Sequence, residues 1–207
     1  MIFLKINLRN LKKIEKTDYR KLLANRELLL TCIGGFFISE SIGADTSYFP
    51  VYGKTLQLSE GVIGAILSIR AFLSTIVRIP VGKATEKINP KKFMMFALGV
   101  SALGLFLISQ FNIMWMFPLF LGLEGIGYGI FLTSANIHIG NVTEQGSKGS
   151  AVGLYYLFSG IGGVLNMTVL GFIAGSFGVS NTFLFTSITC VLGLLLVTIL
   201  SIRKHKK

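Results

Sequence analysis

Residues 181–202 read NTFLFTSITCVLGLLLVTILSI, a run without a single charged side chain. A helix needs about 20 consecutive apolar residues to cross a hydrocarbon core of about 30 Å. The apolar residues are continuous rather than alternating with polar ones, which favours a helix over a strand of a membrane barrel. This stretch therefore predicts a transmembrane helix.

Five further stretches have the same character, and the composition of the whole chain agrees. Of the 207 residues, 52% are apolar and 14% are charged, with a mean hydropathy of +0.69. A soluble domain carries about 25% charged residues, so a soluble globular protein is excluded. We expect an all-α membrane protein with six transmembrane helices. The predicted spans one to six are 28–50, 59–81, 93–110, 113–137, 150–173 and 181–202.

Basic residues are distributed very unevenly over the predicted loops. Six spans place both termini on one side, and 18 of the 20 Lys and Arg residues lie on that side. Only Lys54 lies on the other side, and Arg70 lies within span two. An excess of Lys and Arg marks cytoplasmic loops. The sequence therefore predicts a multi-pass protein of the cell membrane with both termini cytoplasmic, and the net charge of +11 gives no reason to expect nucleic acid as a partner.

The segments outside the spans are short and basic. Residues 1–26 carry leucines at helical spacing from Leu4 to Leu11, which predicts a basic amphipathic linker lying on the anionic leaflet; a solvated linker is the alternative. This segment is too basic throughout for a secretory signal. Residues 27–202 are predicted to form the six-helix membrane domain, and residues 203–207 a basic cytoplasmic tail.

Four ionisable side chains interrupt the predicted spans: Glu40, Asp45, Arg70 and Glu124. Each costs at least ~2.5–3.5 kcal/mol at the centre of a bilayer, so each requires an explanation. At about 1.5 Å per residue from the cytoplasmic ends, Glu40, Arg70 and Glu124 share one level about 17–20 Å deep, and Asp45 lies roughly 8 Å further out. We therefore expect Arg70 to pair with Glu40 or Glu124.

Spans one, two and four carry all the charge within the membrane, and span five carries Tyr155, Tyr156 and Asn166. Spans three and six contain no charged residue, which predicts that they face lipid while spans one, two, four and five line a polar interior. Two functions are open: an ion pair that only holds the bundle together, or a substrate and proton pathway. The predicted pathway residues are Glu40, Asp45, Arg70, Glu124, Tyr128 and Asn166.

Glycine pairs at four-residue spacing recur in the later spans. Such pairs let helix backbones approach closely. They predict tight packing, with a rocking helix as the alternative. The pairs are Gly125 with Gly129, Gly149 with Gly153, and Gly171 with Gly175.

The loop between spans two and three, residues 78–92, has an acid at its centre and bases on both sides. A carboxylate such as Glu86 suits a helix N-terminus, where free N–H groups and the helix dipole favour negative charge. The nearest candidate is the start of span five, around Ser147 to Ser150. The alternative is that the bases only reflect the orientation in the membrane.

This loop resembles the cytoplasmic signature of the major facilitator superfamily, Gly-x-x-x-Asp-Arg-x-Gly-Arg-Arg. Gly82 matches the Gly, Glu86 the Asp, Lys87 the Arg and Lys91 the last basic residue, whereas Asn89-Pro90 departs from the pattern. The basic leading segment and the six spans with both ends inside also resemble this family. The resemblance is to the carboxy-terminal six-helix half, with residues 1–26 matching the linker between halves.

The resemblance implies a half-bundle of two inverted three-helix repeats, in which spans one, two, four and five line a central cavity. It also implies that Gly82, Glu86, Lys87 and Lys91 take part in conformational gating. Only one half is present in the sequence. The implied partner is therefore a missing amino-terminal half or a second copy of the chain.

The expected function is secondary active transport of a small organic solute, such as drug efflux by a proton antiporter, without a cofactor. An uptake permease for a sugar or metabolite, and a truncated non-transporting half or assembly subunit, are the alternatives. An intramembrane enzyme is disfavoured because the only histidines are His138 and His205, and neither His-Glu-x-x-His nor Gly-x-Ser-x-Gly occurs. Cys32 and Cys190 both fall within spans, which argues against a disulfide framework and a metal site.

Overall fold

The computed structural model describes residues 19–202, and every regular element in that range is helical. The predicted structure of residues 1–18 and 203–207 lies outside the described residues. The helices are α1 Tyr19–Ala24, α2 Arg26–Gly43, α3 Phe49–Thr55, α4 Glu60–Ile76, α5 Arg78–Ala84, α6 Pro90–Gln110, α7 Phe117–Val142, α8 Lys148–Phe177 and α9 Ser180–Ile202, with a π-helical turn at Ala44–Tyr48 and 3₁₀ turns at Met114–Met116 and Gln145–Ser147.

These helices form six elements long and apolar enough to cross a membrane, which confirms the number and order of the predicted spans. Most are longer than predicted, because helical structure continues into the polar flanks. Span five is extended most, to 33 residues, and span one reaches 30 residues because its helix runs through the π-helical turn and Pro50 to Thr55. Spans one to six are Arg26–Thr55, Glu60–Ala84, Pro90–Gln110, Met114–Val142, Gln145–Phe177 and Ser180–Ile202.

The helix starts are fixed by short polar side chains. The Asn25 carboxamide oxygen accepts from the amides of Glu27 and Leu28 at the start of span one. Ser59 accepts from Val62 at the start of span two, and Asn89 accepts from Lys91 just before Pro90. Each cap satisfies an amide that the first turn leaves without a helical partner.

The spans pack in a pattern with twofold symmetry. Span one packs on spans five and six, and span four packs on spans two and three in the same way. Spans three and six also pack on each other, as do spans one and four. Exchanging the first three spans for the last three leaves this set of contacts unchanged, as two inverted three-helix repeats require.

This packing gives the bundle two different faces. Spans one and four lie at the centre, with spans two and five at either edge; we call the surface formed by these four spans the front face. Spans three and six lie behind it. Arg26 donates to the Leu200 carbonyl at 2.8 Å, so both ends of the described chain lie on one side of the bundle. We call this the terminal side.

Glycine lets span four approach span two. A Cβ on Gly125 would meet the Arg70 carbonyl oxygen at 2.5 Å, and one on Gly129 would collide with the Ser74 carbonyl oxygen. This pair packs as its spacing predicts. Gly149, Gly153 and Gly175 have no atom of the described chain within 4 Å of a built Cβ, and Gly171 has only the Tyr48 hydroxyl, so close packing was the wrong prediction for those two pairs.

Candidate functional site: a buried ion triad on the front face

One arginine joins two acids at the centre of the bundle. The Arg70 Nε lies 2.6 Å from Asp45 Oδ2 and 2.6 Å from Glu124 Oε2. These three side chains, which we call the ion triad, come from spans two, one and four. Both carboxylates are completely buried and Arg70 is 8% exposed. The triad therefore links three helices without direct access to solvent.

The expected pairing of Arg70 with Glu40 or Glu124 is confirmed for Glu124, but the predicted depth of Asp45 was wrong. Glu124 is a partner of Arg70 as predicted, but the second partner is Asp45 and not Glu40. The error came from counting depth from the terminal side with spans that were too short. Counted from the opposite ends of the observed spans, Asp45, Arg70 and Glu124 each lie ten residues inside, about 15 Å deep, whereas Glu40 lies a further five residues away.

Neighbouring side chains hold the triad in place. The Ser41 hydroxyl donates to Glu124 Oε1 at 2.6 Å, and Ser41 and Asp45 lie one turn apart on the same face of span one. The Arg70 guanidinium carbon lies 5.8 Å from the centre of the Tyr128 ring, within the range of a cation–π interaction. Two buried atoms of the triad have no hydrogen-bond partner: Asp45 Oδ1 and Arg70 Nη2.

Glu40 and Asn166 form a separate polar contact between spans one and five. The Asn166 amide donates to the Glu40 backbone carbonyl at 3.0 Å. The Glu40 carboxylate lies beside the Thr189 hydroxyl of span six, and its Oε2 has no partner. Among residues 19–202 no cation lies within 4 Å of this carboxylate. Glu40 is thus a buried acid outside the triad.

Three tyrosines extend the polar surface of the front face from span four to span five. Tyr128 and Tyr155 lie near each other, and the Tyr155 and Tyr156 rings are 5.1 Å apart. Tyr155 is buried where it packs against Gly35, whereas Tyr156 is 53% exposed. The front face therefore carries hydroxyl groups and aromatic surface beside the triad.

The loop with the signature residues lies on the terminal side. Glu86, Lys87 and Lys91 line a cleft of about 400 Å³, together with His138 and Asn141 from the end of span four. Gly82 lies within α5, where a Cβ would meet no described atom. The acid that bridges this region is Glu27, which sequence reasoning missed. Its Oε2 lies 2.9 Å from Lys91 Nζ and 3.4 Å from His138 Nε2.

The predicted position of Glu86 beside the start of span five was wrong. Its cleft is lined by the ends of spans one and four, because α5 packs on α7. A surface ion pair lies just before the start of span five. Lys21 Nζ lies 2.9 Å from Glu144 Oε1, and this hydrogen bond and charge hold the pKa of Glu144 below its ordinary value.

The polar groups of the front face are ionisable side chains and hydroxyl groups. Within the described chain no group of three metal-binding side chains occurs, and Cys32 and Cys190 are free and buried. The groups on the front face are one guanidinium, two carboxyl groups and phenolic hydroxyls. Such groups can exchange protons and bind a polar solute at a common depth.

The six apolar helices define a multi-pass membrane protein, and comparisons identify its family. The model of the Major Facilitator Superfamily matches residues 25–207. The chain therefore belongs to this superfamily of membrane transporters. The family predicted from the loop residues is confirmed.

Curated relatives share about a quarter of the aligned residues. An uncharacterized MFS-type transporter of Pseudomonas aeruginosa (strain UCBPP-PA14) is 25% identical over 150 residues, 72% of this chain and 37% of the relative. The "Probable nitrate transporter NarT" of Staphylococcus epidermidis is 26% identical over 156 residues, 74% of this chain and 38% of the relative. The matched region thus spans well under half the length of these relatives.

Solved transporters share the fold. The proton:xylose symporter XylE, bound to 6-bromo-6-deoxy-D-glucose, aligns with a TM-score of 0.73 over 88% of this chain and 45% of its own, at 16% identity. The inward-open XylE of E. coli aligns with a TM-score of 0.70 over 83% of this chain and 46% of its own, also at 16% identity. The six-helix bundle therefore corresponds to about half of such a transporter.

Proposed function

We propose that the chain is the carboxy-terminal six-helix half of a secondary active transporter that exports a small organic solute in exchange for protons. The observation that carries this proposal is the position of the ion triad, which lies between the spans of the front face and not between spans three and six. Buried ionisable groups in membrane helices are costly and mark solute or proton pathways. A purely structural ion pair needs one acid for one base, so a structural role alone does not explain the second acid of the triad.

The same residues define the proposed roles. Arg70, Asp45 and Glu124 hold and release the coupling proton, and Tyr128 contacts the solute beside Arg70. Glu40 and Asn166 support the packing of span five against span one. On the terminal side, Gly82, Glu86, Lys87 and Lys91 are proposed to gate the change of conformation.

Charge favours a neutral or cationic solute. Arg70 already faces two carboxyl groups, so the triad has no spare positive charge for an anion. This argues against carrying over nitrate from the name of the staphylococcal relative. Uptake of a sugar or metabolite is the second candidate, favoured by the fold shared with a xylose symporter. A non-transporting subunit is the third, favoured by the short match to its relatives.

We propose that the protein lies in the cell membrane with the terminal side cytoplasmic, since the sequence predicts 18 of the 20 Lys and Arg residues on that side. The front face then needs a second six-helix unit to close the pathway. That unit is an amino-terminal half or a second copy of this chain. No enzymatic activity is part of the proposal.

The test uses everted membrane vesicles from cells that do or do not produce the chain, with a pH-sensitive dye inside. Three probes are added in turn: a lipophilic cationic dye, xylose and nitrate. We expect proton movement driven by the cationic dye in producing cells, lost in Glu124→Gln and kept in the matched control Glu60→Gln. Glu60 is an exposed acid at the opposite side, paired with Lys54. Equal fluxes in both variants would remove Glu124 from the mechanism, and no flux with any probe would favour the non-transporting subunit.

A further inference from the structure

The ion triad contains one more acid than base, and all of it is buried. With every group ionised it would carry one net negative charge among side chains that are 0%, 0% and 8% exposed. An uncompensated charge in such surroundings costs several kcal/mol, and the group takes up a proton instead. Charge balance therefore calls for one bound proton in the triad.

The two carboxyl groups are close enough to share it. Asp45 Oδ2 and Glu124 Oε2 each lie 2.6 Å from the same Arg70 Nε, so the two oxygens are within about 5 Å of each other. Two carboxylates this close disfavour each other's ionisation, and such pairs retain one proton. The single Nε–H cannot fully satisfy two carboxylates at once.

Hydrogen-bond donors distinguish the two acids. Glu124 has a donor beside each oxygen, Ser41 Oγ at Oε1 and Arg70 Nε at Oε2, with the Ser41 hydroxyl divided between Glu124 at 2.6 Å and the Ile38 carbonyl at 2.8 Å. Asp45 has only the shared Nε–H, and its Oδ1 has no partner. Of the two, Asp45 gains less from being ionised, so we assign the proton to the Asp45 carboxyl group.

Within residues 19–202, Arg70 is the one base whose side chain lies within 4 Å of either acid. Span two contributes Arg70, and span four contributes Glu124 with Tyr128. Span six contributes the buried Cys190 thiol, which is near both acids, and Glu40 lies on the side of span one that faces span six. Each of these groups is neutral or acidic except Arg70.

Building on the proposed function, on which this inference rests, we propose that Asp45 and Glu124 together retain one bound proton, held on the Asp45 carboxyl group while Glu124 is the counter-ion of Arg70. When the triad opens to water, the O–H bond of Asp45 breaks and the proton passes to a water molecule. The Asp45 carboxylate then takes up Arg70 Nη2, the donor that has no partner in the closed triad. Asp45 lies in the π-helical turn Ala44–Tyr48, which interrupts the regular hydrogen bonding of span one.

Proton binding is tested without transport, so its failure is distinct from failure of the proposed function. The full chain is purified in lipid nanodiscs, and infrared spectra in H₂O and D₂O report the carbonyl stretch of protonated carboxylic acids. All proteins carry Glu40→Gln, which removes the separate buried acid. We expect one protonated-carboxyl band in this parent, lost on adding Asp45→Asn.

Adding Glu124→Gln instead decides whether the proton is shared. With Glu124 neutral, Asp45 becomes the only counter-ion of Arg70 and loses its proton, so this variant is also expected to lack the band. A band that persists with Glu124→Gln would show that Asp45 binds its proton independently and would overturn the proposal. Absence of the band in the Glu40→Gln parent would also overturn the proposal. This result does not depend on the folding of a triad variant, because the parent keeps Asp45, Arg70 and Glu124.

Discussion

Replacing Arg70 with methionine removes the only positive charge of the ion triad while keeping a side chain of similar length. Asp45 and Glu124 then remain buried with one uncompensated negative charge. Removing one partner of a buried ion pair costs about 3–5 kcal/mol. At about 1.4 kcal/mol per tenfold, the folding equilibrium should fall by roughly a hundredfold to several thousandfold.

The matched control is Arg78→Met, the same substitution eight residues later on span two. Arg78 is partly buried and donates only to the Ser74 carbonyl at 3.2 Å, so its loss should cost about 1 kcal/mol. The free energies of unfolding of both variants are measured in mixed micelles with an increasing fraction of sodium dodecyl sulfate, with unfolding followed by circular dichroism. Adding Asp45→Asn and Glu124→Gln to Arg70→Met should recover most of the loss, because no buried charge then remains. Equal stability of Arg70→Met and Arg78→Met would refute the triad.

Two further predictions follow from helix packing and from the loop between spans two and three. Gly129→Ala should cost about 1–3 kcal/mol in the same unfolding assay, because its Cβ would collide with the Ser74 backbone. The control Gly153→Ala should be neutral or stabilising, because its Cβ would meet no neighbour. Equal stabilities of the two variants would contradict the close approach of spans two and four. Glu86→Ala should slow solute turnover in vesicles more than it weakens solute binding, with the exposed acid change Glu60→Ala as control, and unchanged turnover would argue against gating by this loop.

The spans, their order and the family could be predicted from the sequence because they depend on quantities that simple counting captures. Uncharged runs of about 20 residues define the helices. The confinement of charge to spans one, two and four predicted which of these helices form the front face. The residues Gly82, Glu86, Lys87 and Lys91 carried the resemblance to the family even though Asn89-Pro90 departs from its signature.

The second partner of Arg70, Asp45, could not be predicted by such counting. Depth depends on where each helix ends, and the π-helical turn with Pro50 carries span one to Thr55 instead of ending it. The terminal-side contact of Glu27 with Lys91 and His138 was missed because it joins three spans at their ends. One signal was available: Glu27 is an acid two residues after Asn25, at the start of a span beside a strongly basic segment.

The central claim, that spans one, two, four and five face a water-filled pathway while spans three and six face lipid, is tested most directly by cysteine labelling. Cys32 and Cys190 are first replaced by alanine. Single cysteines are then placed at Tyr156, Leu103 and Leu195, which are equally exposed in the bundle at 53%, 51% and 52%. A membrane-impermeant thiol reagent applied to intact membranes should label Tyr156→Cys on span five and leave Leu103→Cys on span three and Leu195→Cys on span six unlabelled. Equal labelling at all three positions, or labelling only at Leu103 and Leu195, would contradict the account.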